Sequence, residues 1–281
     1  MWRSILREGL SVNRHQKPSP PCYAPSVRVV SLCPSLTELV FDLGAGATLV
    51  GRTRYCVEPT GRVEAVPPFG GTKNPKVEDI LRVRPDLVLM NREENRKEDA
   101  DALRAGGLRC RVVYPRTVEE TAAMVREVGR VLGREKEAEV IAWDVEQELE
   151  AAWSRALRAQ PLRWAYLIWR KPWMTVSRDT YISQMLALAN WKTAGHDPQV
   201  RYPEVRVDRK LLTDIDLVLF SSEPFPFKPA HVEEFRRHSG DTGTPCVFID
   251  GEMTSWYGSR AVKGLRYLRE LAMGIAEPSS L

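Results

Sequence analysis

Histidine is scarce in this chain and cysteine is scattered, and together these shortages exclude the usual protein-held metal sites. There are 4 histidines and 5 cysteines in 281 residues. His15, His196, His231 and His238 show no HxxxH or HExxH spacing, and Cys22, Cys33, Cys56, Cys110 and Cys246 form no CxxC. Neither a metal site nor a disulfide framework is therefore expected, and the odd, dispersed set reads as reduced thiols. An excess of one charge is missing too: 41 Lys+Arg against 37 Asp+Glu leave a well-mixed +4, which offers nucleic acid no basic face. No apolar run reaches the roughly 18 residues of a membrane helix. The opening MWRSILREGLSVNRHQKPSPPCYAPS contains no apolar core and no small-residue cleavage site, so no secretory signal is read there. Residues 1–25 are expected to be a disordered, proline-bearing tail. GxSxG, Rossmann and P-loop patterns are absent as well, and Gly44-Ala45-Gly46 and Gly70-Gly71 read as corners. No catalytic residue and no cofactor of its own is assigned.

What is present is a repeated order of apolar runs. Val27–Leu32, Thr37–Leu43, Ile80–Met90 and Cys110–Tyr114 in the first half are matched by Trp164–Trp169, Tyr181–Leu188, Leu211–Phe220 and Cys246–Asp250 in the second. Short β-branched runs alternate with helical periods, which predicts an α/β fold of two Rossmann-like lobes with mostly parallel sheets. Between the halves, Thr117 and Glu120 form a capping-box pattern and Gly133 marks a break. Beyond it Ala138, Ile141, Ala142, Val145, Leu149 and Trp153 make one apolar stripe at helical spacing, and Pro161 is expected to end the helix. The predicted organisation is a tail (1–25), an N-terminal lobe (26–133), a single connecting helix (134–160) and a C-terminal lobe (161–281). A continuous helix as the only crossing resists bending, so lobe closure is expected to be small.

Ligands on open α/β sheets bind beyond the carboxyl ends of the strands. The loops there are unusual, because they concentrate aromatic residues beside charged ones. Tyr55, Trp169, Trp173, Phe225, Trp256 and Tyr257 offer broad apolar faces for a large organic ligand. Arg54, Lys73 and Arg170 are candidates for its anionic groups, and Asn74, Glu93, Glu223 and Glu252 for its polar ones. Salt bridges among these charges are the plainer reading of many of them. Cys56, in a polar loop with Glu93 and Glu94, is the one thiol placed for chemistry.

Four stretches, RVVSLCPSLTELVFDLGAGATLVGRT (28–53), GGTKNPKVEDILRVRPDLVL (70–89), the helix near 135–158 and KLLTDIDLVLF (210–220), resemble the substrate-binding proteins of ABC importers for vitamin B12, haem and iron–siderophores. The resemblance implies a class III periplasmic-binding-protein-like fold, with the cobalamin-binding branch nearest. Tyr55 matches a ligand-contacting tyrosine and Trp256 a corrin-facing tryptophan of that branch. It also implies an importer permease as partner, docked through an acidic residue on each lobe. Glu78 matches the first of these, while Asp208 is a shifted candidate for the second, with Arg209 as a mismatch. The elaborate loops resemble a signal-less subgroup described as helical-backbone metal receptors.

The leading expectation is non-enzymatic binding of a metal-bearing organic ligand, foremost a corrinoid, by a monomer. An iron–siderophore or haem receptor is the second reading, and an intracellular enzyme or cofactor-handling protein using Cys56, Glu93 and Glu94 is the third. The missing signal points to the cytoplasm and the resemblance to the periplasm or cell surface.

Overall fold

Short runs in which nearly every residue is apolar suit strands covered on both faces, and the computed structural model, which describes residues 27–194 and 199–276, places them in two mostly parallel sheets. The first contains β1 (Val29–Ser31), β2 (Leu49–Arg52), β3 (Leu87–Asn91) and β4 (Cys110–Val113) in the order β2-β1-β3-β4, all pairs parallel. The second is built around β5 (Leu162–Arg170), which pairs in parallel with β8 (Leu217–Ser221), itself parallel to β9 (Cys246–Ile249). The other side of β5 is shared: its first residues pair in parallel with β7 (Trp191–Thr193), its last in antiparallel with β6 (Trp173–Thr175). The segment Trp169–Met174, which follows the predicted run Trp164–Trp169 and holds the candidates Trp169, Arg170 and Trp173, is thus the tip of a β-hairpin. Trp173 and Thr175 favour an extended, half-buried backbone, and the long β5 leaves an edge for them to pair with.

Helices α1 (Pro34–Asp42), α2 (Val77–Val83), α3 (Lys97–Ala105) and α4 (Glu119–Leu132) accompany the first sheet; α6 (Tyr181–Ala187), α7 (Pro229–Ser239), α8 (Gly251–Ser255) and α9 (Arg260–Ala276) accompany the second. Strand alternation divides the core into three. Val30, Val88 and Met90 face one outer cluster with Ile80 and Leu103, and Ala165, Leu167, Val218 and Phe220 face another with Phe235. The opposite faces, with Val29, Leu87 and Leu89 from one sheet and Trp164, Tyr166 and Leu219 from the other, belong to a single cluster that runs through both lobes.

Between the sheets in sequence stands α5 (Glu135–Ala156), about 33 Å long at 1.5 Å per residue. It packs on α4 and on α9, so it bridges the lobes. Arg126 of α4 holds Glu139 and Glu146 with four contacts of 2.6–3.0 Å, and Arg266 of α9 holds Glu148 at 2.6 Å. The buried stripe is Ala138, Ala142, Val145, Leu149 and Ala152, with Ile141 partly buried. Trp153, expected on that stripe, is instead 48% exposed, and Ala152, one position earlier, is the residue turned toward α9 and buried. The helix also ends five residues before Pro161. Arg158 and Ala159 tighten the last turn onto Arg155, and Asn190 takes the Ala159 carbonyl at 2.8 Å, drawing the chain toward the second sheet. The capping box forms with a shift. Glu120 N–H donates to Thr117 Oγ1 at 3.4 Å, but the Glu120 carboxylate accepts from Arg116 N rather than Thr117 N.

The α4–α5 contact depends on one missing side chain. A Cβ on Gly129 would stand 2.2 Å from Ala138 Cβ and 2.9 Å from the Arg134 carbonyl oxygen. Gly129→Val is expected to push the helices apart and lower unfolding stability by about 1–3 kcal/mol, read from the denaturant midpoint at unchanged slope.

Candidate functional site

The strands of both sheets deliver their C-terminal ends to the space between the lobes, and the first groups met there are hydrogen-bonded across it. Cys33, after β1, is buried with its thiol 3.0 Å from the Tyr257 hydroxyl and 3.4 Å from Ser35 Oγ. Burial, followed by the Glu94 charge, pushes the Cys33 thiol up to about 12, and burial likewise holds Tyr257 well above its ordinary range. Both groups are therefore protonated donors at neutral pH. Beside them Arg260, at the start of α9, donates to Glu38 of α1 at 2.8 Å and to Glu252 of α8 at 3.2 Å. Its guanidinium carbon lies 4.9 Å from the Trp256 ring centre. Burial alone would lower Arg260, but the Glu38 hydrogen bond and charge outweigh it and hold the guanidinium charged.

Above this floor the walls carry carboxyl groups. Glu223, after β8, accepts from Ser255 Oγ at 2.7 Å and Trp256 Nε1 at 2.9 Å. Its closeness to α8 requires Gly251, where a Cβ would meet Glu223 Cγ at 2.5 Å. Burial raises Glu223 above the ordinary carboxyl range, its two hydrogen bonds pull it back, and the charge of Glu94 in the opposite lobe raises it further. Glu94 is raised by burial, with Lys73 drawing it down and Glu93 pushing it up. Glu252 is raised by burial against the pull of Arg260. The loop holding Glu93 and Glu94 is braced by two buried asparagines. Asn91 Oδ1 accepts from both glutamate N–H groups, at 2.7 and 3.0 Å, and Asn95 donates to the Leu32 and Thr72 carbonyls. The Glu94 carboxylate has no hydrogen-bond donor among the described residues.

The residues singled out from the sequence fall into three groups. A connected first-lobe rim holds Arg54, which donates to the Tyr55 hydroxyl at 3.1 Å; Tyr55, 51% exposed and lying on Gly71 beside Asn74; and Lys73, which donates to the Glu93 carbonyl. On the second lobe, Trp169 is 40% exposed and meets Phe225 edge-on at 5.7 Å, and Glu223 and Glu252 belong to the set already described; Trp256, expected to offer an open face, is instead buried, because Arg260 covers its ring and Glu223 takes its Nε1. Others are engaged elsewhere: Trp173 stacks on Phe227 at 5.8 Å within the outer core, Arg170 pairs with Glu234 of α7 at 2.5 Å, and Tyr257 is buried on Cys33. Cys56 is wholly buried, hydrogen-bonded to Thr53 at 3.1 Å. Burial raises its thiol, the reverse of a nucleophile's environment, so its expected place in an open polar loop is corrected. Glu78 stands exposed in the first turn of α2. Asp208 caps a local turn by accepting from Leu211 N at 3.1 Å and pairs with Arg206 at 3.5 Å. His15, His196 and Cys22 lie outside the described residues.

Sequence reasoning missed Arg201 and Tyr202. The segment 200–205 runs along β6, through hydrogen bonds from Thr175 N to Pro203 O and from Val205 N to Trp173 O. From there it reaches the other lobe: Arg201 Nε and the Tyr202 hydroxyl both donate to Glu93, at 2.9 and 3.0 Å. The signal was the same pairing of aromatic and charged residues that marked the other loops, in a stretch without strand or helix periodicity. Among the described residues no cluster of three metal-ligating side chains occurs, and no helix is long and apolar enough to cross a membrane.

This geometry, two parallel sheets facing each other across one backbone helix, is matched by comparison with known proteins. The periplasmic binding protein family model matches residues 29–247. The chain belongs to that family. Among its relatives, the vitamin B12-binding protein of Vibrio cholerae is 25% identical over 71% of each chain, and that of Yersinia pseudotuberculosis 28% identical over 69% of each. Among solved structures, the periplasmic vitamin B12 binding protein of V. cholerae superposes with a TM-score of 0.74 at 21% identity, covering 89% of this chain and 98% of that one. The periplasmic heme-binding protein of Roseiflexus sp. RS-1 gives 0.76 at 23%, covering 90% and 98%. Both likenesses describe the fold.

The raised carboxyls set a pH dependence. Protonation of Glu94 is easier folded than unfolded, so its contribution to stability is fully present below the ordinary carboxyl pKa and is lost as pH rises through the folded value. Glu94→Gln should therefore raise Tm near pH 8, by about 2–4 °C for each kcal/mol released, with the gain vanishing near pH 4. Melting curves across that range check it.

Proposed function

We propose that the cleft binds a corrinoid, without chemically altering it, for delivery to an ABC importer. The observation that carries this reading is the pairing of exposed aromatic faces with carboxyls from both lobes, above all Glu94, whose carboxylate lacks a donor among the described residues. A corrin ring is broad and apolar in its faces and fringed with amide N–H donors. Tyr55 and Trp169 suit the first property, Glu94, Glu223 and Glu252 the second. Its single phosphodiester suits Arg54 and Lys73, which are exposed at the first-lobe rim. Haem and ferric siderophores rich in carboxylates would bring anions against the raised carboxyls of Glu94 and Glu223 and are disfavoured on that ground. Names of relatives that bind vitamin B12 agree with this choice.

Titration with cyanocobalamin, followed by its visible spectrum and by calorimetry, is expected to give saturable one-to-one binding, with haemin far weaker. Trp169→Ala should cost about 2 kcal/mol of binding, as loss of a large aromatic anchor does. Equal affinity for haemin, or no response to any corrinoid, would refute the reading.

Docking to the permease is assigned to Glu78, because it is exposed and unpaired in the described structure; Asp208 already serves a turn and an arginine. Glu78→Arg is expected to leave cobalamin affinity unchanged and to abolish stimulation of the reconstituted importer's ATPase. Unchanged stimulation would remove Glu78 from the interface.

A further inference from the structure

Well along α9 from the cleft, the last turns of α5 and α9 and the turn after α6 line a half-open cavity of about 180 Å³. It lies some eight residues along α9 from Arg260, or roughly 12 Å at 1.5 Å per residue. Its walls are mostly apolar, from Ala152, Leu188, Leu265 and Leu268, with Arg155 and Arg269 as the charged members. These two cations are poorly neutralised. Glu148 is the nearby carboxylate, held by Arg266 at 2.6 Å and reached by Arg269 only at 3.7 Å. Arg155 makes no ion pair among the described residues, and its Nη2 is buried without an acceptor. Burial, reinforced by the charge of Arg269, depresses Arg155. A buried guanidinium nitrogen lacking an acceptor calls for an explanation, since such groups are nearly always satisfied.

We propose that this cavity is a second ligand site, for a small amphipathic carboxylate: a fatty acid anion of about six to eight carbons, its chain in the apolar interior and its carboxylate on Arg155 and Arg269. The volume agrees, being on the scale of the roughly 150 Å³ apolar cavities that admit benzene. The charge agrees as well, because an acceptor with two oxygens satisfies the orphaned nitrogen and relieves the repulsion between the two guanidinium groups. The site does not involve the cleft and is independent of its ligand.

The test uses the full chain and octanoate, by calorimetry and by NMR of octanoate labelled at its carboxyl carbon. Octanoate is expected to bind one-to-one and to raise Tm, whereas octylammonium and octanol, with the same chain and the wrong head, are not. Arg155→Met, which keeps the stem, should weaken octanoate by about tenfold or more, the loss of a charge-assisted hydrogen bond. Ala156→Leu, which fills the cavity, should abolish binding while the cobalamin titration stays unchanged. No octanoate binding at millimolar concentration overturns the proposal, as does equal binding of octanol or undiminished binding by a folded Arg155→Met.

Discussion

The two lobes are held at a set distance by a buried seam in which Arg260 of one lobe is closed on Glu38 of the other, at 2.8 Å, with the Cys33–Tyr257 contact beside it at 3.0 Å. Both side chains of the ion pair are less than a tenth exposed. Removing one partner of such a pair leaves the other charge buried and uncompensated, a loss of about 3–5 kcal/mol. The seam does more than join. Arg260 also covers the buried Trp256 ring and reaches Glu252, so the interaction that sets the lobe spacing also positions a carboxyl of the cleft.

The cleft inherits its character from this arrangement. Its floor is filled by groups whose hydrogen bonds are spent on one another, and its walls present carboxyls that burial has made harder to ionise. The rim is different. Arg54 and Lys73 remain in water, and Glu93 is tied across the lobes by Arg201 and Tyr202. Carboxyls thus line the interior and two cations stand at the edge, an arrangement that aromatic residues alone would not create. The helix α5, anchored by ion pairs to α4 on one side and α9 on the other, keeps both walls on one support.

Much of this was legible in the chain. The parallel sheets follow from apolar runs without alternation, and the backbone helix from a stripe at helical spacing, because both patterns are local. The motif Ser31-Leu-Cys-Pro-Ser-Leu-Thr-Glu38 was readable as a strand, a turn and a helix start: Pro34 opens α1 and Thr37 turns back to Ser31 and the Cys33 carbonyl. Its last residue was not readable. Glu38 meets its partner 222 positions away, and no local pattern encodes that. For the same reason Trp153 and Ala152 could not be told apart from periodicity alone, since the approach of α9 decides which one is covered. Cys56 read as reactive because its neighbours in sequence are polar and loop-forming; in space it is wholly buried, its thiol on the Thr53 hydroxyl and no base beside it among the described residues.

The amino-acid sequence by itself determined the fold class, the single long connection, the candidate loops and the residue types gathered in them, since each is carried by composition and period within a few turns of chain. Only the tertiary structure decided which of those residues face one another. It set Trp173 and Arg170 into contacts on the outer side of the second lobe, drew Arg201 and Tyr202 across to Glu93, and left Glu94 without a donor among the described residues. Pairing across lobes depends on the packing of α5, α4 and α9, and that packing is a sum over distant contacts that no single segment contains.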